Sequence, residues 1–256
     1  EDKSNIKFSF SSDAVSTWIE ALSINKISGD CVDSSNTTEG AVPCIGPNGE
    51  IFVSWSAHDK LYFDRSTDGG ATWLEEDIIA GSQYGGWVYD IEGIFRCNGL
   101  PITQCDISSS PYKGTIYINY SDRRNGENDV DVFLVRSTDG GNTWSDALRI
   151  NDDPVGNGKQ QFMSWMNVDP LTGAVNIIYY DRRDHNDWNT DVYLARSTDG
   201  GVTFENKKIS EEPFVPVKSV FFGDYIGVSS YNNYTACIWQ RLDKGKLSII
   251  YAGNQF

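Results

Sequence analysis

The stretch RSTDGGATW, at residues 65–73, decides the fold because nearly the same nine residues occur three times in the chain. The other two copies are RSTDGGNTW at 136–144 and RSTDGGVTF at 196–204. A degenerate fourth copy, SSDAVSTW at 11–18, keeps the Ser, Asp, Thr and Trp but has Ala14–Val15 where the others have two glycines. The central aspartates are Asp13, Asp68, Asp139 and Asp199. A period of about 60 residues indicates repeated supersecondary units.

The segments around each copy predict β-strands in a fixed order. In the first repeat, EIFVSW leads through a short polar turn into LYFDRS, the repeated phrase follows, and LEEDII comes after it. Apolar residues alternate with a period of two almost throughout, which is typical of strands and leaves no competing helix. A further segment ahead of each set supplies an inner strand, and four antiparallel strands per repeat describe a propeller blade. The sequence therefore predicts an all-β propeller of four-stranded antiparallel blades, as a single domain over residues 1–256.

The ends of the chain carry incomplete blades. Three complete blades, a leading half blade at 6–25 and a final unit of three strands make about five visible blades. Two arrangements stay open: the ends join into a closed five-bladed ring, or N-terminal blades are missing and another chain completes the propeller. The chain opens on Glu rather than Met, which indicates that an upstream segment has been removed.

The net charge of −15 excludes some classes of partner. Nucleic acid is excluded because its phosphates require a surface rich in Lys and Arg. No run of 18 or more apolar residues exists, so no membrane span is predicted. The acidic surface suits a soluble protein outside the cytoplasm, and we expect a secreted or cell-surface location.

Four of the five cysteines occur as two close pairs in equivalent positions. Cys44 aligns with Cys105, and each has another cysteine shortly upstream. This pattern predicts two local disulfides, Cys31–Cys44 and Cys97–Cys105, and hence an oxidising compartment. The alternative is four free thiols in a cytosolic protein. Cys237, inside the apolar run TACIW, is predicted to be a buried free thiol.

The residue types of the repeated phrase suit a turn better than a catalytic site. The glycine pair allows backbone angles that other residues avoid. The Asp and Ser/Thr side chains accept from, and donate to, the turn's own backbone. The terminal Trp or Phe fills the space between neighbouring sheets. No nucleophile is held beside a base, so the phrase is interpreted as a structural clip.

The pattern S-x-D-x-G-x-T-W/F resembles the Asp box, or BNR repeat, of sialidases and related β-propeller glycosidases. The resemblance implies a box between the third and fourth strands of each blade, on the face opposite the active site. It also implies a six-bladed ring, three arginines on the substrate carboxylate, an Asp acid/base and a Tyr nucleophile activated by a Glu. The family's N-terminal Arg-Ile-Pro segment is absent from this chain, and FRCNGLP at 95–101 is a poor substitute for it.

The face opposite the boxes is built by the turns between the second and third strands. The turns YSDRRNGENDVD at 120–131 and YYDRRDHNDWNTD at 179–191 repeat an Asp-Arg-Arg triplet. One interpretation is a salt-bridge latch in each blade, with Asp131 pairing one arginine of the first turn and Asp191 one of the second. The other is a cluster that grips an anionic substrate. The candidate arginines are Arg123, Arg124, Arg182, Arg183 and Arg241.

Loops that enter the inner strands add carboxylates and aromatic rings to this rim. Exposed Trp and Tyr beside carboxylates suit a sugar, and Trp87 and Trp165 are the candidates for substrate contact. Glycoside hydrolysis requires two carboxyl-type groups on either side of the anomeric carbon. The catalytic candidates are Asp90, Glu92 and Asp224, with Tyr225 as a sialidase-like nucleophile. The clusters ENDVD and DHNDWNTD also suggest a loose calcium loop, without the regular spacing of a known one.

Two functions follow from these residues. The first is a carbohydrate-directed, sialidase-like propeller related to exo-glycosidases, acting on an anionic or complex glycan. The alternative is a non-catalytic propeller that binds carbohydrate or protein as a subunit of a surface assembly. The arginine turns and the Trp-rich rim favour the first, whereas the acidic charge and incomplete blades favour the second.

Overall fold

The computed structural model describes residues 2–32 and 34–256, which form nineteen β-strands and no helix. No helix among these residues is long and apolar enough to cross a bilayer. The strands are β1 (Lys7–Phe8), β2 (Leu22–Ser23), β3 (Glu39–Ile45), β4 (Ile51–Ala57), β5 (Lys60–Ser66), β6 (Ile78–Ser82), β7 (Val88–Tyr89), β8 (Cys97–Asn98), β9 (Ile102–Cys105), β10 (Ile116–Asp122), β11 (Asp131–Ser137), β12 (Leu148–Arg149), β13 (Gln161–Val168), β14 (Val175–Asp181), β15 (Asp191–Ser197), β16 (Glu205–Lys208), β17 (Gly227–Tyr231), β18 (Tyr234–Asp243) and β19 (Lys246–Gln255).

These strands form the blades that the repeats predict. Blade 1 has the order β3-β4-β5-β6, blade 2 has β9-β10-β11-β12, and blade 3 has β13-β14-β15-β16. Every neighbouring pair is antiparallel. A half blade, β1-β2, precedes them, and a three-stranded blade 4, β17-β18-β19, follows. The small hairpin β7-β8 lies between blades 1 and 2 in sequence. The predicted all-β propeller architecture is thereby confirmed.

Each copy of the repeated phrase closes a turn through its own side chains. In the first copy, Thr72 donates its backbone N–H to one oxygen of Asp68 at 2.9 Å and its hydroxyl to the other at 2.6 Å. Ser66 donates to the same carboxylate at 2.7 Å and accepts from the N–H of Gly70 at 2.8 Å. The hydrogen bonds from Thr72 and Ser66 lower the pKa of Asp68 to about 2. Equivalent serine and threonine bonds surround Asp13, Asp139 and Asp199.

The last residue of the phrase packs each blade against the preceding one. Trp144 of blade 2 meets Phe63 of blade 1 edge-on, with ring centroids 5.0 Å apart. Trp73 of blade 1 meets Phe8 of the half blade at the same distance. Phe204 of blade 3 packs against the apolar cluster that blades 2 and 3 share. The phrase therefore fixes blade-to-blade packing, and it lies at the end of each blade where the third strand finishes.

The degenerate first copy keeps the turn without its glycines. Ala14 and Val15 have φ angles of 55° and 62°, in the left-handed region that the glycine pairs of the other copies also occupy. A β-branched residue in this region is strained, and Val15 is 69% exposed, so its side chain gains little from packing.

We expect Val15→Gly to stabilise the protein by about 1 kcal/mol, because glycine relieves the left-handed strain. Chemical denaturation followed by fluorescence measures the change in the free energy of unfolding. Val202, an exposed valine of the third copy whose φ is not positive, provides the matched control. Val202→Gly is expected to be neutral or destabilising, and equal effects of the two substitutions would contradict the assignment of strain to Val15.

The two end units keep exposed apolar surface. Tyr251 of β19 is 60% exposed, and Trp18 of the half blade is 61% exposed. Within residues 2–32 and 34–256, no strand pairs with the outer edge of β19. The structure thus has open ends, and the two units do not bury these faces against each other.

The predicted local disulfides are absent, because all five cysteines are free thiols. Cys97 is buried in an apolar cluster that includes blades 3 and 4, whereas Cys105 is buried between blades 1 and 2. Cys31 is exposed, whereas Cys44 packs against the cluster of Cys105. Closeness in sequence did not produce closeness in space, since the chain passes from one cluster to another between Cys97 and Cys105. Cys237 is buried, as predicted.

Candidate functional site

A polar cleft of about 310 Å³ opens on the face opposite the repeated phrases. The β14–β15 turn forms one wall, and the loops before β8 and β13 form the others. Because these segments connect strands at the end of the blade away from the boxes, the cleft lies on the face that the sequence selects for function. Its principal lining residues are Glu92, Lys159, Gln160, Arg182, His185 and Trp188.

Arg182 lies in the wall of this cleft and is only 4% exposed. Its guanidinium donates to Thr190 Oγ1 at 3.1 Å, to Gln160 Oε1 at 3.0 Å and to the carbonyl of Glu92 at 2.8 Å. All three acceptors are neutral, and Arg182 forms no salt bridge with any carboxylate of the described residues. Burial lowers the pKa of Arg182 to about 10, so the group stays charged at neutral pH. A charge held in this way favours an anion in the cleft.

Trp188 presents a partly exposed ring beside Arg182. Its indole N–H donates to Glu92 Oε2 at 3.1 Å, and 44% of the residue is exposed. The ring lies close over Gly93, where an added Cβ would approach Trp188 Cε3 to 3.1 Å. Gly93 also has a φ of 80°, so both the space and the backbone favour glycine there. The ring is therefore fixed on one side and open on the other.

Two acidic side chains face the same cleft. Glu92 is exposed and accepts from Trp188, whereas Asp187 accepts from the backbone and side chain of Asn189 at 2.9 and 3.0 Å. The backbone and side-chain hydrogen bonds of Asn189 lower the pKa of Asp187. The cleft thus offers two solvent-accessible carboxylates near one buried guanidinium.

A second cation stands at the rim of the cleft. Lys159 donates its ammonium to the carbonyl of His185 and to Asn186 Oδ1, the latter at 2.9 Å. His185 is oriented by Asp191, with Nε2 and Oδ2 2.8 Å apart. Asp191 also forms a salt bridge with Lys208, with Nζ and Oδ2 2.7 Å apart, so His185 and the Lys208 ammonium share one carboxylate.

The structure does not bring the five candidate arginines together. Arg124 is held by Asp122 at 2.7 Å and lies 4.1 Å over the ring of Phe133. In the next blade, Arg183 is held by Asp181 at the same distance and lies 4.2 Å over Tyr193. The second arginine of each triplet is therefore a structural latch, and the carboxylate is the Asp two residues earlier.

The remaining candidate arginines also have separate partners. Arg241 pairs with Asp243 at 2.6 Å, and Arg123 donates to the carbonyl of Gly85 at 3.0 Å. Of the five candidates, Arg182 alone lines the cleft. The proposed convergence of three arginines is therefore wrong, because a neighbouring carboxylate in the same blade takes Arg124, Arg183 and Arg241.

The predicted partners of the latch are also corrected. Asp131 receives Arg149 at 2.6 Å rather than an arginine of the triplet. Asp191 receives Lys208 and His185. Both aspartates are the first residues of the third strand of their blade, which pairs with the fourth strand. The long side chains of that fourth strand, Arg149 and Lys208, are therefore the cations within reach.

The catalytic candidates are scattered. Glu92 lines the cleft, but Asp224 forms a bidentate pair with Arg96 at 2.6 and 3.0 Å. Tyr225 is exposed and meets the ring of Trp165 edge-on at 5.8 Å, away from the residues that line the cleft.

Two further candidates lie outside the cleft. Asp90 is exposed and does not line it, and Trp87 is buried, with its indole N–H on the carbonyl of Thr37 at 3.3 Å. Trp87 is therefore a core residue.

The acidic clusters suggested for calcium are occupied by protein donors. Asp129 accepts the N–H groups of Gly156 and Gly158, both at 2.8 Å. Among the residues that the structure describes, no group of three or more His, Cys, Asp or Glu side chains is arranged to hold a metal ion. The cluster DHNDWNTD instead supplies the cleft with His185, Asp187 and Trp188. The sequence signal for this wall of the cleft is Trp188, an exposed aromatic residue within a polar turn whose carboxylates and amides also suggest calcium.

Comparison with known proteins supports the fold. No family model matches the chain. The xyloglucanase Xgh74A of Acetivibrio thermocellus is 27% identical over 175 residues, which are 68% of this chain and 17% of that protein. The α-L-arabinofuranosidase Arb93A of Fusarium graminearum superposes with a TM-score of 0.55 at 14% identity, covering 86% of this chain and 63% of that one. The NanB sialidase of Streptococcus pneumoniae gives 0.54 at 13%, covering 97% and 35%.

These likenesses establish a sialidase-like β-propeller fold, as the repeated phrase predicts. The chain spans less than a fifth of the xyloglucanase and between about a third and two thirds of the two solved enzymes. The likeness to known proteins therefore concerns the architecture, and the function has to be argued from the cleft.

Proposed function

We propose that this propeller binds a carbohydrate that carries a carboxylate, and that the binding site is the cleft at Arg182. The observation that carries the proposal is the buried guanidinium, whose contacts are all with neutral acceptors. An anionic ligand group supplies the direct carboxylate partner that Glu92 and Asp187, although they line the same cleft, do not provide. Arginine also suits a carboxylate geometrically, because its planar donors match two oxygens.

The remaining lining residues suit a sugar. The open face of Trp188 offers a stacking surface for a pyranose ring next to the arginine. Lys159, Gln160 and Asn186 add polar side chains for hydroxyl groups. A site of this kind, partly polar and flanked by one aromatic ring, agrees with a ligand that has both a flat apolar face and many hydroxyls. A glycan ligand also agrees with a place outside the cytoplasm.

A second candidate function is hydrolysis of the bound glycan. Glu92 and Asp187 both face the cleft, and glycoside hydrolysis uses two carboxyl groups, one as acid and the other as base or nucleophile. The relatives named above are a xyloglucanase, an arabinofuranosidase and a sialidase, which supports a place among carbohydrate-active propellers. In this arrangement Arg182 positions the substrate, and the carboxylates perform the chemistry.

Binding is tested with matched ligands. Oligosaccharides containing uronic or sialic acid are immobilised beside the same glycans after reduction of the carboxyl group to an alcohol. We expect binding to weaken by about tenfold or more on reduction, because the charge-assisted bonds to Arg182 are lost. Equal binding to both members of each pair would overturn the proposal.

Hydrolysis is tested separately with a panel of fluorogenic glycosides. Turnover that is lost in Glu92→Gln or Asp187→Asn, with binding retained, would establish the enzymatic function. Binding without turnover in the native protein would leave the site as a lectin-like one.

A further inference from the structure

We infer that Cys44 and Cys105 form a redox-active thiol pair, and that their oxidation joins blades 1 and 2 through a disulfide between the inner strands β3 and β9. This inference is independent of the proposed function. The pairing differs from both disulfides that the sequence predicts. It follows from the packing of two neighbouring inner strands and from the apolar cluster that both cysteines contact.

Two contacts place β3 beside β9. A Cβ added at Gly40 would lie 2.8 Å from Leu100 Cβ and 3.1 Å from Pro101 Cδ, so residues 40 and 101 are neighbours. Two residues on, Val42 pairs with Ser54 of β4, whose Oγ lies 2.6 Å from Thr103 Oγ1. The first contact places the start of β3 beside the residues that precede β9, and the second places β4, the strand that pairs with β3, beside β9 itself. The strands β3 and β9 are therefore neighbours across the interface of blades 1 and 2, and Cys44 and Cys105 lie at or near their C-terminal ends.

The side chains of the two cysteines enter the same space. Cys105 belongs to the apolar cluster between blades 1 and 2, and Cys44 packs against that cluster. In the strand pairing, Cys44 is opposite Phe52 and Cys105 is opposite Ile116, and both of these partners are members of the cluster. Both cysteines therefore pack against the same apolar cluster at the interface of blades 1 and 2.

Accessibility and acidity set the rate of oxidation. Cys44 is half-buried and gives an oxidant its point of entry, whereas Cys105 is buried. Burial raises the pKa of Cys105 to about 12, and burial together with the nearby Cys105 raises that of Cys44. Because the thiolate is the reactive form, oxidation is slow at neutral pH and faster in alkaline solution.

The reaction balances with a small-molecule disulfide as oxidant. The Cys44 thiolate attacks one sulfur of oxidised glutathione, which releases one glutathione thiolate and forms a mixed disulfide. The Cys105 thiolate then attacks the Cys44 sulfur and releases the second glutathione. Two protein thiols lose two protons and two electrons, and one glutathione disulfide becomes two thiols.

The other cysteines serve as internal controls. Cys31 is exposed and is expected to stop at the mixed disulfide with glutathione. Cys97 and Cys237 are buried in a different cluster and are expected to stay reduced.

The experiment treats the folded native protein with oxidised glutathione at pH 8.5 and maps peptides by mass spectrometry without reduction. We expect a Cys44–Cys105 linked peptide, absent from Cys44→Ser and Cys105→Ser and retained in Cys31→Ser. The oxidised protein is expected to melt roughly 5–10 °C higher than the reduced one, since the bond closes a loop of about 60 residues. Circular dichroism confirms that each variant is folded. No linked peptide from the folded protein, or a link to any other cysteine, would overturn the inference.

Discussion

Replacement of Gly141 by alanine is expected to lower the free energy of unfolding by about 3–5 kcal/mol, a large share of the stability of a typical domain. Gly141 is the second glycine of the second repeated phrase and has a φ of 89°, which is unfavourable for any residue with a Cβ. The added Cβ would also lie 2.2 Å from Phe63 Cε1 and 2.6 Å from Phe63 Cζ. Both the backbone and the packing therefore oppose the methyl group.

Phe63 has no room to move away from that methyl group. The ring is fully buried in blade 1 and meets Trp144 edge-on at 5.0 Å. Displacing it separates the two blades at the point where the phrase joins them. Thermal and chemical unfolding of Gly141→Ala measure the loss, and a melting temperature lower by about 10 °C is expected for a domain of this size.

The first glycine of the same phrase provides the matched control. Gly140 has a φ of 73°, but an added Cβ there meets no atom closer than Arg65 Nη1 at 3.8 Å. Gly140→Ala is therefore expected to cost only the backbone strain, about 1–2 kcal/mol. Similar losses for the two substitutions would show that the contact with Phe63 does not explain why this position is glycine.

The repeated phrase shows how much of this fold can be predicted from sequence. Its glycines, aspartate and terminal aromatic residue act within one turn and the next blade, so a local pattern carries the information. The spacing of the phrase also predicts where the inner strands lie and which turns form the face opposite the phrases. The outer strands are less predictable: LEEDII at 74–79 predicts the fourth strand of blade 1, but β6 runs over Ile78–Ser82, because an edge segment pairs on one side only.

The functional face was harder to predict because its contacts join distant parts of the chain. Asp224 is neutralised by Arg96, which lies 128 residues away in sequence. The two arginines of each Asp-Arg-Arg triplet are the same residue type but have different roles. The second arginine pairs with the Asp of its own triplet, whereas the first does not. The first arginine is Arg123 in blade 2 and Arg182 in blade 3. Arg123 donates to the carbonyl of Gly85, whereas Arg182 donates to the carbonyl of Glu92 in the wall of the cleft.

The cysteines illustrate the opposite error. The equivalent positions of the cysteines in successive repeats predict two equivalent local pairs, although equivalent positions in adjacent blades are themselves neighbours. Cys44 and Cys105 share one cluster, whereas Cys97 lies in another. In a propeller, residues one repeat apart lie in adjacent blades and can be close in space, as Cys44 and Cys105 are. Residues eight positions apart, such as Cys97 and Cys105, can lie in different clusters when a connecting loop separates them.

Arg182→Met is expected to weaken binding of a carboxylate-bearing glycan by about 100-fold, given that the proposed function is correct. The guanidinium supplies the positive charge of the cleft wall, and methionine keeps much of its length and its contact with Phe162, over which Arg182 lies at 5.3 Å. Arg182→Lys keeps the charge but loses the planar fork, so an intermediate loss is expected. Isothermal titration with the glycan that binds most tightly on the array measures each affinity.

The stability of the same variants separates binding from a structural role. Arg182→Met removes a buried charge but also removes the hydrogen bonds to Thr190, Gln160 and the Glu92 carbonyl, so we expect a lower melting temperature in a protein that still folds. Arg123→Met is the matched control, because Arg123 is the equivalent residue of blade 2 and does not line the cleft. Its affinity is expected to equal that of the native protein. Native affinity in folded Arg182→Met, whatever its melting temperature, would assign the arginine to the fold and remove the main argument for an anion site.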